Sequence, residues 1–242
     1  MPTIVDCQPW TDEVPVTALS ELLDRAFTKD AGAPDLKKNR RWFVPASVDQ
    51  AELDACMELL SDAERSRMDR FRHEGARQQF IVGHGVIHLL LKKYLKDEYS
   101  NLYWQETAHH KPFIQLPDAS RPLEYNLSHC EGFIAVSFGR HSQGIDIEKV
   151  RHLDDLEGIC RQVFTDSEIE QVFATKDPER QSHTFFKFWT CKEAALKADG
   201  TGFMKDPKSL QLNFDSKENS TPETTHWSDS ISGYHAAWTQ RA

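Results

Sequence analysis

Long apolar runs are absent. The densest stretch, Val86-Ile87-His88-Leu89-Leu90-Leu91, falls far short of the ~18–20 apolar residues that a membrane-spanning helix requires. The N-terminus lacks a basic region followed by an apolar block, so a secretory signal is not expected. Cysteines are few. Cys7, Cys56, Cys130, Cys160 and Cys191 form an odd, scattered set with no CxxC pair. That pattern argues against a disulfide framework or a zinc knuckle and makes reduced thiols in the cytoplasm the expectation. A basic excess is missing too, with 38 acidic against 29 basic side chains and a net charge of −9. A general nucleic-acid binder needs cations for its phosphate grip, so no nucleic-acid partner is expected, although a local basic pocket remains open. There is no Walker A loop, no GxSxG elbow and no HExxH, and Gly83-His84-Gly85 lacks the third glycine of a dinucleotide fingerprint.

What is present suits a soluble globular protein: 39% hydrophobic and 28% charged residues. The length of 242 residues allows one large domain or two small ones. Residues 1–38 read as a lead-in, with helical spacing from Thr17 to Phe27 and a polar stretch after it. Arg41–Val44 predicts a strand stopped by Pro45. Helices follow over Val48–Leu60, from Ser61 to Arg72 and over Ala76–Tyr94. Strand patterns then appear at 102–104, 111–115, 123–128, 133–138 and 144–149, and helices at 153–162, 166–174 and from about Arg180 to Asp199, ending at Gly200. Strands at 210–214 and 234–238 would close a sheet, with the Ser/Thr-rich segment 215–233 between them as an exposed loop. Helices followed by strands, twice over, predict two α+β halves, 39–142 and 143–242, after an N-terminal extension of 1–38.

Four constellations could carry chemistry. In Gly144-Ile145-Asp146-Ile147-Glu148, two carboxylates at i and i+2 of a strand share a face ~6.5–7 Å apart, a spacing that one hard cation can bridge. A solvent-facing strand edge carries the same pattern. In Trp189-Thr190-Cys191-Lys192-Glu193-Ala194-Ala195-Leu196-Lys197, Trp189, Glu193 and Lys197 fall on one helical stripe. Glu193 could complete a three-carboxylate site or act as a base, and Lys197 could neutralise a phosphate oxygen. The bland reading is a surface Glu–Lys pair. Asn126-Leu127-Ser128-His129, with Lys111-Pro112 upstream, offers a Lys and a His for phosphate. Ser128 and His129 are strand neighbours whose side chains diverge, which removes a nucleophile–base dyad. Arg65, Arg67, Arg70, Arg72, His73 and Arg77 are the densest cations in an acidic chain, suited to an anionic ligand or to a solvated helix face balanced by Glu64, Asp69 and Glu74.

Taken in order, these pieces resemble the Sfp-type 4′-phosphopantetheinyl transferases. The resemblance runs from Lys111-Pro112 through Asn126-x-Ser128-His129, GIDIE (144–148) and Phe164-Thr165-x-x-Glu168 to Trp189-x-x-Lys192-Glu193-Ala194-x-x-Lys197 and Gly200-x-Gly202, and covers roughly 41–240. It implies a pseudo-twofold monomer of two similar α+β halves with the active site in the cleft between them. It further implies a holo-[acyl-carrier-protein] synthase type of reaction. Phosphopantetheine passes from coenzyme A to a serine of an apo acyl or peptidyl carrier protein, and adenosine 3′,5′-bisphosphate leaves. Asp146, Glu148 and Glu193 would hold magnesium or manganese on the pyrophosphate, with Glu193 also the base, directly or through water. Lys197 would stabilise the departing phosphate. Ser128, His129 and Lys111 would hold nucleotide phosphates with help from Arg67 and Arg72. The chain departs from the pattern at His84, where many relatives carry Arg. Two other readings stand beside this one: a coenzyme A or carrier binder without turnover, and a magnesium-dependent hydrolase on the same scaffold.

Overall fold

A computed structural model of the chain describes residues 2–10, 14, 16–27, 40–116, 122–201, 205–215 and 223–241. In chain order its elements begin with β1 (Thr3–Pro9), α1 (Leu19–Phe27), β2 (Arg40–Pro45), α2 (Gln50–Leu59), α3 (Asp62–Met68) and α4 (Glu74–Leu95). Then come β3 (Tyr103–Glu106), β4 (Pro112–Gln115), β5 (Leu123–Cys130), β6 (Phe133–Gly139) and β7 (Gln143–Lys149). The chain continues through α5 (Leu156–Val163), α6 (Asp166–Val172), α7 (Pro178–Asp199), β8 (Leu210–Asn213), β9 (Glu223–Ser228) and β10 (Tyr234–Arg241). Two compact α+β units result, one made of Pro15–Gln105 and Phe113–Arg140, the other of Met1–Val14, Glu106–Pro112 and His141–Ala242.

The first unit is a five-stranded sheet in the order β2-β6-β5-β4-β3 with the 22-residue α4 as its main helix. Ser61 and Glu64 form a capping box that starts α3, and Asp49 and Glu52 do the same for α2. The Glu64 carboxylate also accepts from two imidazoles one turn apart on α4, His84 at 2.6 Å and His88 at 2.8 Å, and His88 meets Tyr99 on its other nitrogen at 2.8 Å. Burial alone would raise the Glu64 pKa, but these imidazole bonds prevail and hold it well below the usual carboxylate range. His84 is thereby committed to tying α3 to α4. Gly85 is required by geometry, since a Cβ there would lie 2.5 Å from that of Cys56 on α2.

The second unit is a sheet in the order β7-β10-β9-β1-β8, crossed by the 22-residue α7. Asp177 caps α7, Pro178 occupies its first turn, and Gly200 ends it in the left-handed region at φ 77°. The start therefore lies two residues before the expected Arg180.

Two strands depart from the sequence reading. β1 lies within the segment 1–38 read as an N-terminal extension, yet it is the fourth strand of the second sheet, parallel to both β8 and β9. β9 lies within 215–233, read as an exposed loop, and pairs with β10. The hydroxyls of Thr225 and Thr239 meet at 2.7 Å in the sheet interior, so a threonine counted as loop composition finds its partner on β10. The expected boundaries at 39 and 143 shift accordingly. Residues 1–14 join the C-terminal unit through β1, while α1 joins the N-terminal unit, with Leu19 and Leu22 in its core. Gly202 and the whole polar stretch 28–39 after Phe27 lie outside the described residues.

Candidate active site

β7 and α7 are in register with each other. Side chains two apart on a strand repeat every ~6.6–6.8 Å, and side chains four apart on a helix every ~6 Å. A stripe at 144, 146 and 148 can therefore run beside a stripe at 189, 193 and 197, provided the two elements are antiparallel and close. They are both. Trp189 Nε1 donates to Glu148 Oε1 at 3.2 Å, and Lys197 Nζ donates to Asp146 Oδ1 at 2.7 Å and to the Ile145 carbonyl at 3.2 Å. Closeness comes from Gly144: a Cβ there would lie 2.5 Å from the Ala198 nitrogen and 2.8 Å from the Lys197 Cβ.

Glu193 lies between those contacts. It is 8% exposed, and its Oε1 is buried without a hydrogen-bond partner among the described residues. Burial, then the Asp146 carboxylate and more weakly that of Glu148, push its pKa up to about 7 against the pull of Lys197. Glu148 is raised as well, by burial first and by Asp146 second, while Trp189 and Arg151 oppose the shift. The Arg151 guanidinium is 3.4 Å from the second Glu148 oxygen.

Among the described residues no three His, Cys, Asp or Glu side chains are arranged to enclose a metal ion as they stand. The reason is visible in the partners. Asp146 turns an oxygen to Lys197, and Glu148 gives its two to Trp189 and Arg151. The donor set nevertheless fits a hard divalent cation. The Asp146 carboxylate raises the proton affinity of both Glu148 and Glu193, and one buried oxygen of Glu193 has no hydrogen bond to lose.

Other motif residues are placed elsewhere. Lys192 and Glu168, both fully buried, form an ion pair at 2.7 Å. Lys192 also donates to the Pro207 and Leu210 carbonyls, and Glu168 accepts from the Leu212 and Thr165 amides. This pair ties α7 to α6 and β8 and explains why both motifs carry a charge inside the core. Lys111 is 8% exposed, with its ammonium on the Ser142 hydroxyl at 2.7 Å and the Ala198 carbonyl at 3.3 Å. In the other unit, Ser128 is buried and His129 exposed as neighbours on β5. Arg67 and Arg72 are exposed, Arg67 lying over the Phe80 ring at 5.4 Å. Ser142 and Arg151 went unnoticed in the sequence. Each sits within three residues of β7's ends, and proximity to GIDIE was the one available signal.

A strand–helix pair of this kind, with acids on both and a lysine on the helix, has the groups to hold a hard cation and to offset phosphate charge. A family profile described as the 4′-phosphopantetheinyl transferase superfamily matches residues 142–239, and one described as 4′-phosphopantetheinyl transferase, N-terminal, matches 46–139. The 4′-phosphopantetheinyl transferase HetI of Nostoc sp. is 33% identical over 166 residues, 68% of this chain and 69% of that one. The transferase Sfp of Bacillus subtilis is 27% identical over 176 residues (72% and 75%), and gsp of Aneurinibacillus migulanus 23% over 198 residues (79% and 80%). The chain belongs to the Sfp-type 4′-phosphopantetheinyl transferases.

Proposed function

We propose that this transferase moves the 4′-phosphopantetheine group from coenzyme A to the serine hydroxyl of an apo acyl or peptidyl carrier protein and releases adenosine 3′,5′-bisphosphate. The alignment of Asp146 and Glu148 on β7 with Glu193 and Lys197 on α7 carries this reading. A magnesium or manganese ion, when bound, supplies Lewis-acid charge to the pyrophosphate. Asp146, Glu148 and Glu193 would hold it, Asp146 by exchanging its contact with Lys197 for the metal.

The chain's own groups account for the proton and the leaving group. Glu193, directly or through water, accepts the proton of the serine hydroxyl as its oxygen bonds to phosphorus. The bond from phosphorus to the bridging pyrophosphate oxygen breaks, and the Lys197 ammonium offsets charge on the departing oxygen. Arg67, Arg72, Ser128 and His129 are proposed to take nucleotide phosphates. A monomer is the proposed working form, as the family resemblance implies, and the cytoplasm the proposed compartment, on the odd and scattered cysteine set.

The test is to incubate the protein with coenzyme A, magnesium and apo carrier proteins and to weigh the carriers intact. A gain of one phosphopantetheine is expected. No gain on any of a panel of acyl and peptidyl carriers overturns the reading, and release of phosphopantetheine to water without a carrier replaces it with hydrolysis.

A further inference from the structure

The motif lysine Lys111 is expected to hold a phosphate, yet its charge is spent inside the protein. It sits at the end of a tight turn in which His110 adopts φ 60°, the Thr107 amide donates to the Lys111 carbonyl at 2.9 Å, and the Thr107 hydroxyl accepts from the Lys111 amide at 3.1 Å. The stem passes over Gly200, where a Cβ would lie 3.2 Å from Lys111 Cδ. The ammonium then reaches the Ser142 hydroxyl at 2.7 Å and the Ala198 carbonyl at 3.3 Å, and Ser142 itself donates to that carbonyl at 2.6 Å.

Ala198 is the penultimate residue of α7, and its carbonyl is one of the last four that a helix cannot satisfy internally. A buried cation and a hydroxyl converging there complement the negative end of the helix dipole. Ser142 immediately precedes β7, and Lys197 immediately precedes Ala198. The triangle of Lys111, Ser142 and the Ala198 carbonyl therefore pins the start of β7 to the end of α7 one residue from Lys197. The opposite side of the same turn is held by Asp199, which accepts from Lys205 at 2.9 Å and from Arg241.

We infer that Lys111, acting through Ser142 and the Ala198 carbonyl, is a positioning residue that sets the register of α7 on β7, and so the reach of Lys197 to Asp146, rather than a phosphate ligand. The inference rests on the proposed transferase reaction for its kinetic consequence but not for its structural one. Displacement of a catalytic group by ~1 Å can cost up to ~10²-fold in rate. A positioning role therefore lowers kcat, whereas loss of a phosphate contact raises KM.

Two variants test this, Lys111→Met and Ser142→Ala, with their double. In transfer assays each single variant is expected to lose about tenfold or more in kcat, with KM for coenzyme A within about twofold. The double is expected to lose little more than the worse single. In hydrogen exchange, the amides of the last turn of α7 lose protection in both variants. A large rise in the KM for coenzyme A with kcat retained in Lys111→Met, and an unaffected Ser142→Ala, would overturn the inference. So would unchanged protection of the α7 end in both variants. Should the wild-type protein transfer nothing, the proposed function fails while the exchange result still decides this point.

Discussion

Lys197 Nζ lies 2.7 Å from Asp146 Oδ1, so the positive charge facing the acids of β7 is supplied by the protein's own helix. The same lysine is available to a leaving phosphate only if Asp146 can exchange it for another cation. Asp146 is thus asked to hold two partners in turn, and Asp146→Ala removes both functions. Its kcat/KM is expected to fall by at least ~10², with the far-ultraviolet circular dichroism unchanged because the Lys192–Glu168 pair still seats α7. Full activity would contradict the role of Asp146.

Gly144→Ala tests how close strand and helix must be. The added methyl would press on the Ala194 carbonyl and lie 2.5 Å from the Ala198 nitrogen, both backbone atoms that cannot rotate away. The variant is expected to lose ~1–3 kcal/mol of stability and most of its activity, since α7 must lift from β7. Urea unfolding followed by a transfer assay at low temperature separates the two losses.

Lys192→Met breaks a fully buried ion pair and leaves Glu168 in the core without its cation. Breaking such a pair by one partner costs ~3–5 kcal/mol, whereas an apolar replacement of both is far milder. Lys192→Met is therefore expected to be strongly destabilised, and Lys192→Met/Glu168→Leu to recover part of the loss in denaturant titrations.

A pH dependence follows from His235. Burial, and then the neighbouring His183 at 3.3 Å, lower its pKa from the usual 6.5 to about 4. The folded protein keeps this imidazole neutral while the unfolded chain takes up a proton below about pH 6.5. The contribution of His235 is thus fully present above pH 6.5, is lost progressively as pH falls towards 4, and does not change further below that. The span is of order 3 kcal/mol. Comparing the wild type with His235→Phe by thermal unfolding between pH 7 and 4 isolates it: the stability difference between the two should shift against the wild type as pH falls from 6.5 towards 4. Parallel curves would contradict the assignment.

Period and punctuation made the long elements legible. α4 and α7 carry helical spacing over six turns, and Gly200 marks the end of α7 as expected. GIDIE and WxxKEAxxK pointed to Asp146, Glu148, Glu193 and Lys197, and the strand and helix periods already allowed the two stripes to lie side by side. β1 was illegible for a different reason. Thr3-Ile4-Val5 is a β-branched run, but nothing local says that it inserts between β8 and β9, more than two hundred residues away. β9 was hidden because Thr224, Thr225 and Ser228 count equally as loop residues and as partners in a sheet, a choice made by Thr239 across the strand pair. Lys111, Lys192 and Glu168 show the same limit from the other side: a charged motif residue reads as chemistry until its burial and its partners are seen.

Manganese binding, followed by electron paramagnetic resonance with coenzyme A present, tests the central claim most directly when paired with transfer in a chelator. The wild type is expected to hold one manganese ion and to lose transfer on chelation, and Asp146→Ala and Glu193→Gln to hold none. Undiminished transfer in excess chelator, with no manganese signal from the wild type, would contradict it.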